Sequence, residues 1–238
     1  MNRSHTTAAA RYSALAVLAL ISLLVAACAT VPPPPPSSGP GSTVQTLQSE
    51  VSLSVTAGEK KMGGRGYLLF KQPDRFHLAV LSPLGFTMMD IYLDNDQLTC
   101  LLPTKQTAYQ GRISDLPDQN AFRAWSMMRW VVDTPPASPG ESSRSRVNRD
   151  GKREQLLYDA RGLLLAKTNQ DGDRVNYQDY RDRNGVAFPS AIEMSNAAGD
   201  RVRIVFDEPE LNQSLDDDVL TPSLTGMTVL PLTAFTGI

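Results

Sequence analysis

The chain has 238 residues and a nearly balanced charge, with 23 basic and 25 acidic side chains. This balance excludes the strong basic excess by which proteins bind nucleic acids, so we expect no nucleic acid partner. The length suffices for one domain with a sizeable core, once short terminal segments are set aside.

The first 27 residues have the composition of an export signal. Arg3 and Arg11 carry the positive charge, no acidic residue occurs, and residues 14–27 are largely apolar. An apolar run this short favours a signal peptide over a spanning helix, which needs about 20 apolar residues. We predict that residues 1–27 are removed and take no part in the fold.

The signal ends at Val25-Ala26-Ala27-Cys28, which resembles the bacterial lipobox with Val in place of the usual Leu. The resemblance implies cleavage before Cys28 and lipidation of its sulfur. Two or three acyl chains anchor a protein stably, whereas a single chain holds only marginally. In lipoproteins of this kind Asp at position 29 favours inner-membrane retention, so with Ala29 the resemblance implies an anchor in the outer membrane, facing the periplasm. The alternative is an ordinary signal peptide followed by a cysteine by chance.

Residues 28–43 are predicted to be a linker, and residues 44–238 a single domain with a C-terminal extension. The proline run at 32–36 is a stiff spacer, and the following Ser/Gly stretch is flexible. After signal cleavage the domain keeps one cysteine, Cys100, and one histidine, His77. These exclude an internal disulfide and a metal site built from several Cys or His ligands. Cys100, which lies among leucines, is expected to be buried.

Short β-prone segments separated by turn residues dominate the domain, a pattern typical of an antiparallel sheet with short connections. Some segments are apolar throughout and therefore need apolar cover, or a cavity, on their second face. The predicted strands are residues 51–55, 66–70, 75–81, 87–93, 97–102, 155–159, 163–168, 174–180, 190–194 and 201–206.

Helical patterns are few. Residues 120–132 have apolar side chains at helical spacing and are followed by Pro135 and Pro136, which predicts one helix. A weaker helical pattern covers residues 44–51, and the Pro/Ser-rich residues 134–146 indicate a loose insertion. One large sheet with few helices predicts a mainly β fold, an antiparallel open half-barrel with a helical lid.

The segment Ser82-Pro83-Leu84-Gly85 predicts a tight turn with an apolar tip. Proline in the second place and glycine in the fourth are preferred by a type I turn, so Leu84 is the third residue. Two interpretations are open at this point. Leu84 folds back into the core beneath the helix, or it projects toward a partner or a membrane.

The sequence contains no catalytic motif, and we predict that the protein is not an enzyme. His77 lies on the polar phase of its strand, and no Gly-x-Ser-x-Gly motif occurs. Gly63-Gly64-Arg65-Gly66 lacks the Lys-Ser/Thr of a phosphate loop and indicates a hairpin turn or a sheet bend. Residues 216–218 lack the spacing of a calcium loop and indicate a solvated acidic turn. We expect no metal and no cofactor.

Residues 74–87, Asp-Arg-Phe-His-Leu-Ala-Val-Leu-Ser-Pro-Leu-Gly-Phe-Thr, resemble the strand, Pro-Leu-Gly loop and next strand of the LolB family of outer-membrane lipoprotein receptors. Weaker matching patches extend the resemblance over residues 51–206. It implies a half-barrel whose apolar interior accepts lipoprotein acyl chains from a LolA-like periplasmic carrier and passes them into the outer membrane.

The resemblance implies the partners and a membrane-insertion role for the Pro-Leu-Gly loop. The partners are lipoprotein acyl chains, the carrier and outer-membrane lipid, and we expect a monomer. Besides Cys28, the site consists of an insertion loop of Pro83, Leu84 and Gly85 and of candidate cavity residues Phe70, Leu78, Val80, Met88, Phe122, Trp125 and Met128. The alternative is a structural or assembly lipoprotein that uses the same fold, with residues 211–238, to dock proteins or another lipid.

Overall fold

The computed structural model describes residues 43–115, 123–149 and 151–235. The predicted signal peptide, Cys28 and nearly all of the predicted linker lie outside the described residues. So do Phe122 and, although its backbone is described, the side chain of Trp125. None of the described helices is both long and apolar enough to span a membrane.

The described chain folds into one sheet of thirteen strands and one α-helix, α1 (Arg123–Val132). Short 310-helices cover Pro103–Lys105, Ile113–Asp115, Asp217–Leu220 and Leu232–Ala234. The strands are β1 (Thr46–Ala57), β2 (Lys60–Lys71), β3 (Arg75–Leu81), β4 (Thr87–Asp94), β5 (Gln97–Leu102), β6 (Thr107–Arg112), β7 (Ser143–Val147), β8 (Arg153–Tyr158), β9 (Leu164–Asn169), β10 (Arg174–Arg183), β11 (Val186–Ser195), β12 (Arg201–Leu211) and β13 (Thr228–Pro231).

The strand order is β13-β6-β5-β4-β3-β2-β1-β12-β11-β10-β9-β8-β7. Two antiparallel meanders, β1 to β6 and β7 to β12, are joined where β1 pairs with β12. Helix α1 lies in the connection between β6 and β7, and β13 adds a parallel pairing to β6. The sheet stays open because its two end strands do not pair. The prediction of a mainly β, open antiparallel fold is confirmed.

Residue alternation gives the sheet an apolar inner face. One row of register partners crosses β2 to β5 through Leu68, Leu78, Ile91 and Cys100, all at most 3% exposed. Because side chains on a strand alternate between faces, register partners share a face. Helix α1 packs Val131 against this face. Each large apolar side chain buried here stabilises the fold by about 1.5–3 kcal/mol.

Cys100 is fully buried in that row, as the sequence predicted. Burial raises the pKa of its thiol to about 12. A thiol that stays protonated is a poor nucleophile, so Cys100 acts as a small apolar core residue.

Two segments fold differently from the sequence prediction. Residues 44–51 are not helical. Residues 46–51 form the first half of β1, which pairs with β2 and β12. Leu47 and Val51 are both buried, and their spacing of four suits one face of a strand as well as one face of a helix. The predicted loose insertion at 134–146 ends in the edge strand β7, which pairs with β8.

The glycine cluster at 63–66 is not a hairpin turn but lies within β2. A Cβ atom on Gly66 would come within 2.3 Å of the carbonyl oxygen of Ala79 on β3. Glycine is therefore required by the close approach of the two strands.

Candidate functional site

An apolar cavity of about 90 Å³ lies between α1 and the inner face of the sheet. The sheet contributes residues of β1–β3 and β9–β12, among them Leu68, Phe70 and Ile192. The helix contributes Met128 and Val131, and the extended segment after the helix closes one side. None of the described residues that line the cavity comes from β4, β5 or β6.

The walls of the cavity offer hydrocarbon rather than reactive groups. None of the described lining residues carries a charge, and Thr134, Tyr177 and Tyr180 are the polar ones. The Tyr177 hydroxyl donates to the carbonyl oxygen of Val131 at 2.6 Å, and the Tyr180 hydroxyl donates to that of Leu164 at 2.8 Å. Burial raises the pKa of Tyr177 well above its ordinary value. The cavity therefore suits an aliphatic ligand, and its described lining offers no base or nucleophile.

The cavity is small for such a ligand. Its 90 Å³ is well below the roughly 300–1,000 Å³ typical of sites that enclose small molecules. The space between α1 and the sheet in this structure is therefore smaller than a whole acyl chain would fill.

Side chains of the sheet hold the C-terminal end of α1. The last carbonyls of a helix lack partners within the helix. Here the Nζ of Lys167 donates to the carbonyl oxygens of Trp130 and Asp133, and the Tyr177 hydroxyl donates to that of Val131. The Tyr158 hydroxyl donates to the carbonyl oxygen of Pro135 at 3.1 Å. Side chains of strands β8 to β10 therefore attach the C-terminal end of α1, which covers the cavity, to the sheet.

A buried charge cluster lies around that attachment. It consists of Lys167, Glu154, Arg146 and Asp133, together with the indole of Trp130. Glu154 accepts hydrogen bonds from Trp130 Nε1 and Arg146 Nε, and Arg146 also pairs with Asp133. Burial lowers the pKa of Lys167 to about 7, although Glu154 and Asp133 act in the opposite direction. Sequence analysis missed this cluster.

The Pro-Leu-Gly loop forms the predicted tight turn. The amide of Gly85 donates to the carbonyl oxygen of Ser82 at 2.9 Å, and the amide of Phe86 donates to the Ser82 hydroxyl at 3.1 Å. Gly85 has φ +84°, a left-handed conformation that favours glycine. Leu84 is 83% exposed and Phe86 is 69% exposed. Leu84 therefore projects outward and does not fold back into the core.

The predicted cavity residues divide between several places. Phe70 and Met128 line the cavity together. Leu78 is buried in the inner-face core and Val80 is half-buried, but neither is among the lining residues. Met88 is 40% exposed, because β4 places it on the opposite face from the buried Ile91. The prediction that Met88 lines the cavity is wrong. Phe122 and the Trp125 side chain lie outside the described residues.

His77 lies on the outer face and connects three parts of the chain. Its Nδ1 is 2.8 Å from the carbonyl oxygen of Val219, and its Nε2 is 3.0 Å from Asp90 Oδ1. The ring stacks on Tyr92 with centroids 4.0 Å apart. Beside it, Asp217 pairs with Arg75 at 2.8 Å. Nδ1 thus attaches the C-terminal segment to the sheet, whereas Nε2 links β3 to β4.

We expect His77→Ala to lower the free energy of unfolding by about 1–3 kcal/mol, because Asp90 and the Val219 carbonyl lose a half-buried partner. Urea titration measures this loss. Arg112→Ala is the control, since it breaks an exposed pair with Asp96 and should cost less than about 1 kcal/mol. Hydrolysis of a generic ester that disappears in His77→Ala would contradict a purely structural role.

The sequence profile described as outer membrane lipoprotein LolB matches residues 45–208. A comparison with curated protein sequences finds no match. A putative outer membrane lipoprotein-sorting protein domain from Vibrio parahaemolyticus has a similar structure, with a TM-score of 0.53 and 8% identity over 74% of this chain and 88% of that chain.

Two further solved structures resemble the chain. A DUF1329 family protein from Desulfovibrio piger ATCC 29098 has a TM-score of 0.53 and 13% identity over 76% of this chain and 91% of that chain. The LolA superfamily protein NE2245 from Nitrosomonas europaea has a TM-score of 0.49 and 14% identity over 75% of this chain and 90% of that chain. At such identities the two structures with TM-scores of 0.53 show a shared fold and nothing finer.

Proposed function

The chain belongs to the LolB family of outer membrane lipoproteins, and from this membership we propose that it accepts lipoprotein acyl chains from a periplasmic carrier and inserts them into the outer membrane. One observation carries the proposal. The same domain has an uncharged apolar cavity under a helix and a leucine that projects from a tight turn. The first suits an acyl chain, and the second suits a membrane.

Binding of an acyl chain requires an apolar surface but no catalytic group. Each methylene removed from water contributes about 0.8 kcal/mol, so a long chain binds an apolar cavity without any charged contact. The described lining residues fit this requirement, because they carry no charge and the hydroxyls of Tyr177 and Tyr180 already donate to backbone carbonyls. This supports a transport role for the cavity and a protein that is not an enzyme.

Insertion is assigned to the loop. Leu84 and Phe86 together expose two large apolar side chains to water, which proteins seldom do without a partner surface. Pro83, Leu84 and Gly85 are not among the residues that line the cavity. Acceptance and insertion can therefore be separated by mutation.

The anchor completes the proposal. Lipidation of Cys28 would hold the chain at the periplasmic face of the outer membrane, and two or three acyl chains make such an anchor stable. The linker from Cys28 to Thr43 reaches at most roughly 50 Å when fully extended. This reach lets the domain meet a carrier and still bring Leu84 to the membrane.

The alternative, an assembly lipoprotein that docks partners through residues 211–238, loses its main support. Leu220, Leu232 and Phe235 are buried against the rest of the domain. A segment engaged in this way does not offer those side chains to another protein.

Leu84→Glu is expected to accept lipoprotein from the carrier at the wild-type level but to deliver it to liposomes at least tenfold more slowly. Withdrawing a leucine from the bilayer forfeits about 1.5–3 kcal/mol, a factor of roughly 10 to 100. The measurement uses the full lipidated chain in liposomes, a carrier loaded with labelled lipoprotein, and separate assays of acceptance and delivery.

Val147→Glu is the matched control, because Val147 is 62% exposed on the edge strand β7. It should deliver lipoprotein at the wild-type rate. Equal losses in both variants would mean that the added charge, rather than the missing leucine, slows delivery. Absence of acceptance by the wild-type chain would refute the proposed function.

A further inference from the structure

The part of the chain that follows the family match, residues 209–235, crosses from one face of the sheet to the other. After β12 ends at Leu211, the segment attaches to the outer face, where Asp217 pairs with Lys71 and Arg75 and the Val219 carbonyl contacts His77. Leu220 is buried at this point. The segment then reaches the end of the sheet, where β13 pairs in parallel with β6.

Beyond β13 the segment turns onto the inner face. A Cβ atom built on Gly111 would lie 2.9 Å from the Cβ of Leu232, which is only 2% exposed. Phe235 meets the ring of Tyr109 edge-on, with centroids 5.1 Å apart and planes at 82°. Glycine at position 111 thus leaves room for Leu232.

The register fixes the face on which these contacts occur. Gly111 pairs with Leu98 and Tyr109 pairs with Cys100, and both partners belong to rows that share the face of the cavity. Leu232 and Phe235 therefore lie over the inner side of β5 and β6. They belong to the same apolar core as the cavity residues.

The described lining of the cavity does not extend to the part of the inner face that this segment covers. The described lining residues come from β1–β3, β9–β12 and the helical cover, with no contribution from β4, β5 or β6. The inner face of β4–β6 is apolar like the part of the sheet that lines the cavity, because Leu93, Leu98 and Leu102 are buried there. Without the C-terminal segment, more of this apolar surface would be free. The C-terminal segment occupies part of that surface.

We propose that residues 228–235 are a built-in plug that confines the acyl-binding space to the half of the inner face formed by β1–β3 and β9–β12. The inference rests on the proposed function and adds a determinant of specificity to it. The ligands that fit are acyl groups shorter or fewer than the whole inner face would hold. Leu232 and Phe235 set this limit, and Gly111 makes it sterically possible.

The test compares fatty acids of increasing length. The chain from residue 29 onward, which contains all of the described residues, is titrated with cis-parinaric acid. Lauric, myristic, palmitic and stearic acids then displace the probe. In the double variant Leu232→Ala/Phe235→Ala, the preference for stearic over lauric acid should rise about fourfold for each further methylene that the enlarged space buries. Phe235→Ala alone, a milder change, should shift the preference in the same direction.

Val229→Ala is the matched control, because Val229 lies in the same segment, on β13, and is 49% exposed. It should keep the wild-type length preference. If the wild-type chain binds these acids and Phe235→Ala leaves the length preference unchanged, residues 228–235 are only a structural support. If the wild-type chain binds none of them, the proposed function fails instead.

Discussion

Replacing Glu154 by alanine is expected to lower the free energy of unfolding by about 3–5 kcal/mol, because it breaks a buried charge pair and leaves its partners uncompensated. Glu154 is 2% exposed and accepts hydrogen bonds from Trp130 and Arg146. Its carboxylate also favours the charged form of Lys167, whose side chain is fully buried. Without Glu154, Arg146 keeps only the carboxylate of Asp133, and Lys167 loses the first of the two carboxylates that favour its charged form.

Urea denaturation of the wild-type protein and of Glu154→Ala measures the difference in the free energy of unfolding. Equal dependences of that free energy on urea concentration would show that both proteins expose the same surface on unfolding. Asp171→Ala is the matched control, since Asp171 pairs with Lys152 through side chains that are 43% and 46% exposed. Asp171→Ala should lower the free energy of unfolding by less than about 1 kcal/mol. Similar losses in both variants would show that the cluster contributes no more than a surface pair.

Strands bounded by strong turn residues could be predicted from the sequence. The bounds of β3 (Arg75–Leu81) and β5 (Gln97–Leu102) agree with the prediction. Between β4 and β5, Asn95 adopts φ +54°, a conformation that asparagine tolerates better than most residues. Neighbouring turn residues determine these boundaries, so a single sequence suffices to predict them.

Strands that depend on distant partners could not be predicted. β7 has the sequence Ser-Arg-Ser-Arg-Val, which lacks the apolar alternation of a strand. Its arginines are satisfied by tertiary partners instead, Arg144 by Glu141 and Arg146 by Asp133 and Glu154. β13 is four residues long, ends in a proline, and pairs with a strand more than a hundred residues earlier.

Two parts of the candidate site have local signals in the sequence. The turn around Leu84 has a local signature, and its geometry agrees with it. Met89 is in phase with the apolar Ile91 and Leu93, whereas Met88 is in phase with Asp90. The alternation along β4 therefore directs Met89 inward, where it pairs with Val80, and the choice of Met88 overlooked this signal.

Lys167 was beyond sequence reasoning for the same reason as β7 and β13. Lysine is almost never fully buried unless it is paired. Its partners are the carbonyl oxygens of Trp130 and Asp133, which lie at the end of a helix in another part of the chain. The burial of Lys167 depends on where α1 ends in the folded structure, so the sequence of β9 gives no indication of it.

Filling the cavity should abolish acyl binding more completely than any change at its rim. We expect Ala187→Trp to weaken binding of an acyl probe roughly 200-fold, because exclusion of about four methylenes forfeits ~0.8 kcal/mol each. Ala187 lines the cavity from β11 and is only half-buried, so an indole can enter the space without displacing a packed core side chain. Fluorescence titration with cis-parinaric acid measures the loss.

Stability must be followed in parallel, since overpacking costs about 1–3 kcal/mol by itself. Ala198→Trp is the matched control, because Ala198 is exposed in the turn between β11 and β12. A folded Ala187→Trp that still binds the probe at full affinity would place the acyl chain outside this cavity. A folded variant that binds no probe, beside a control that binds normally, would locate acceptance between α1 and the half of the sheet that the C-terminal segment leaves open.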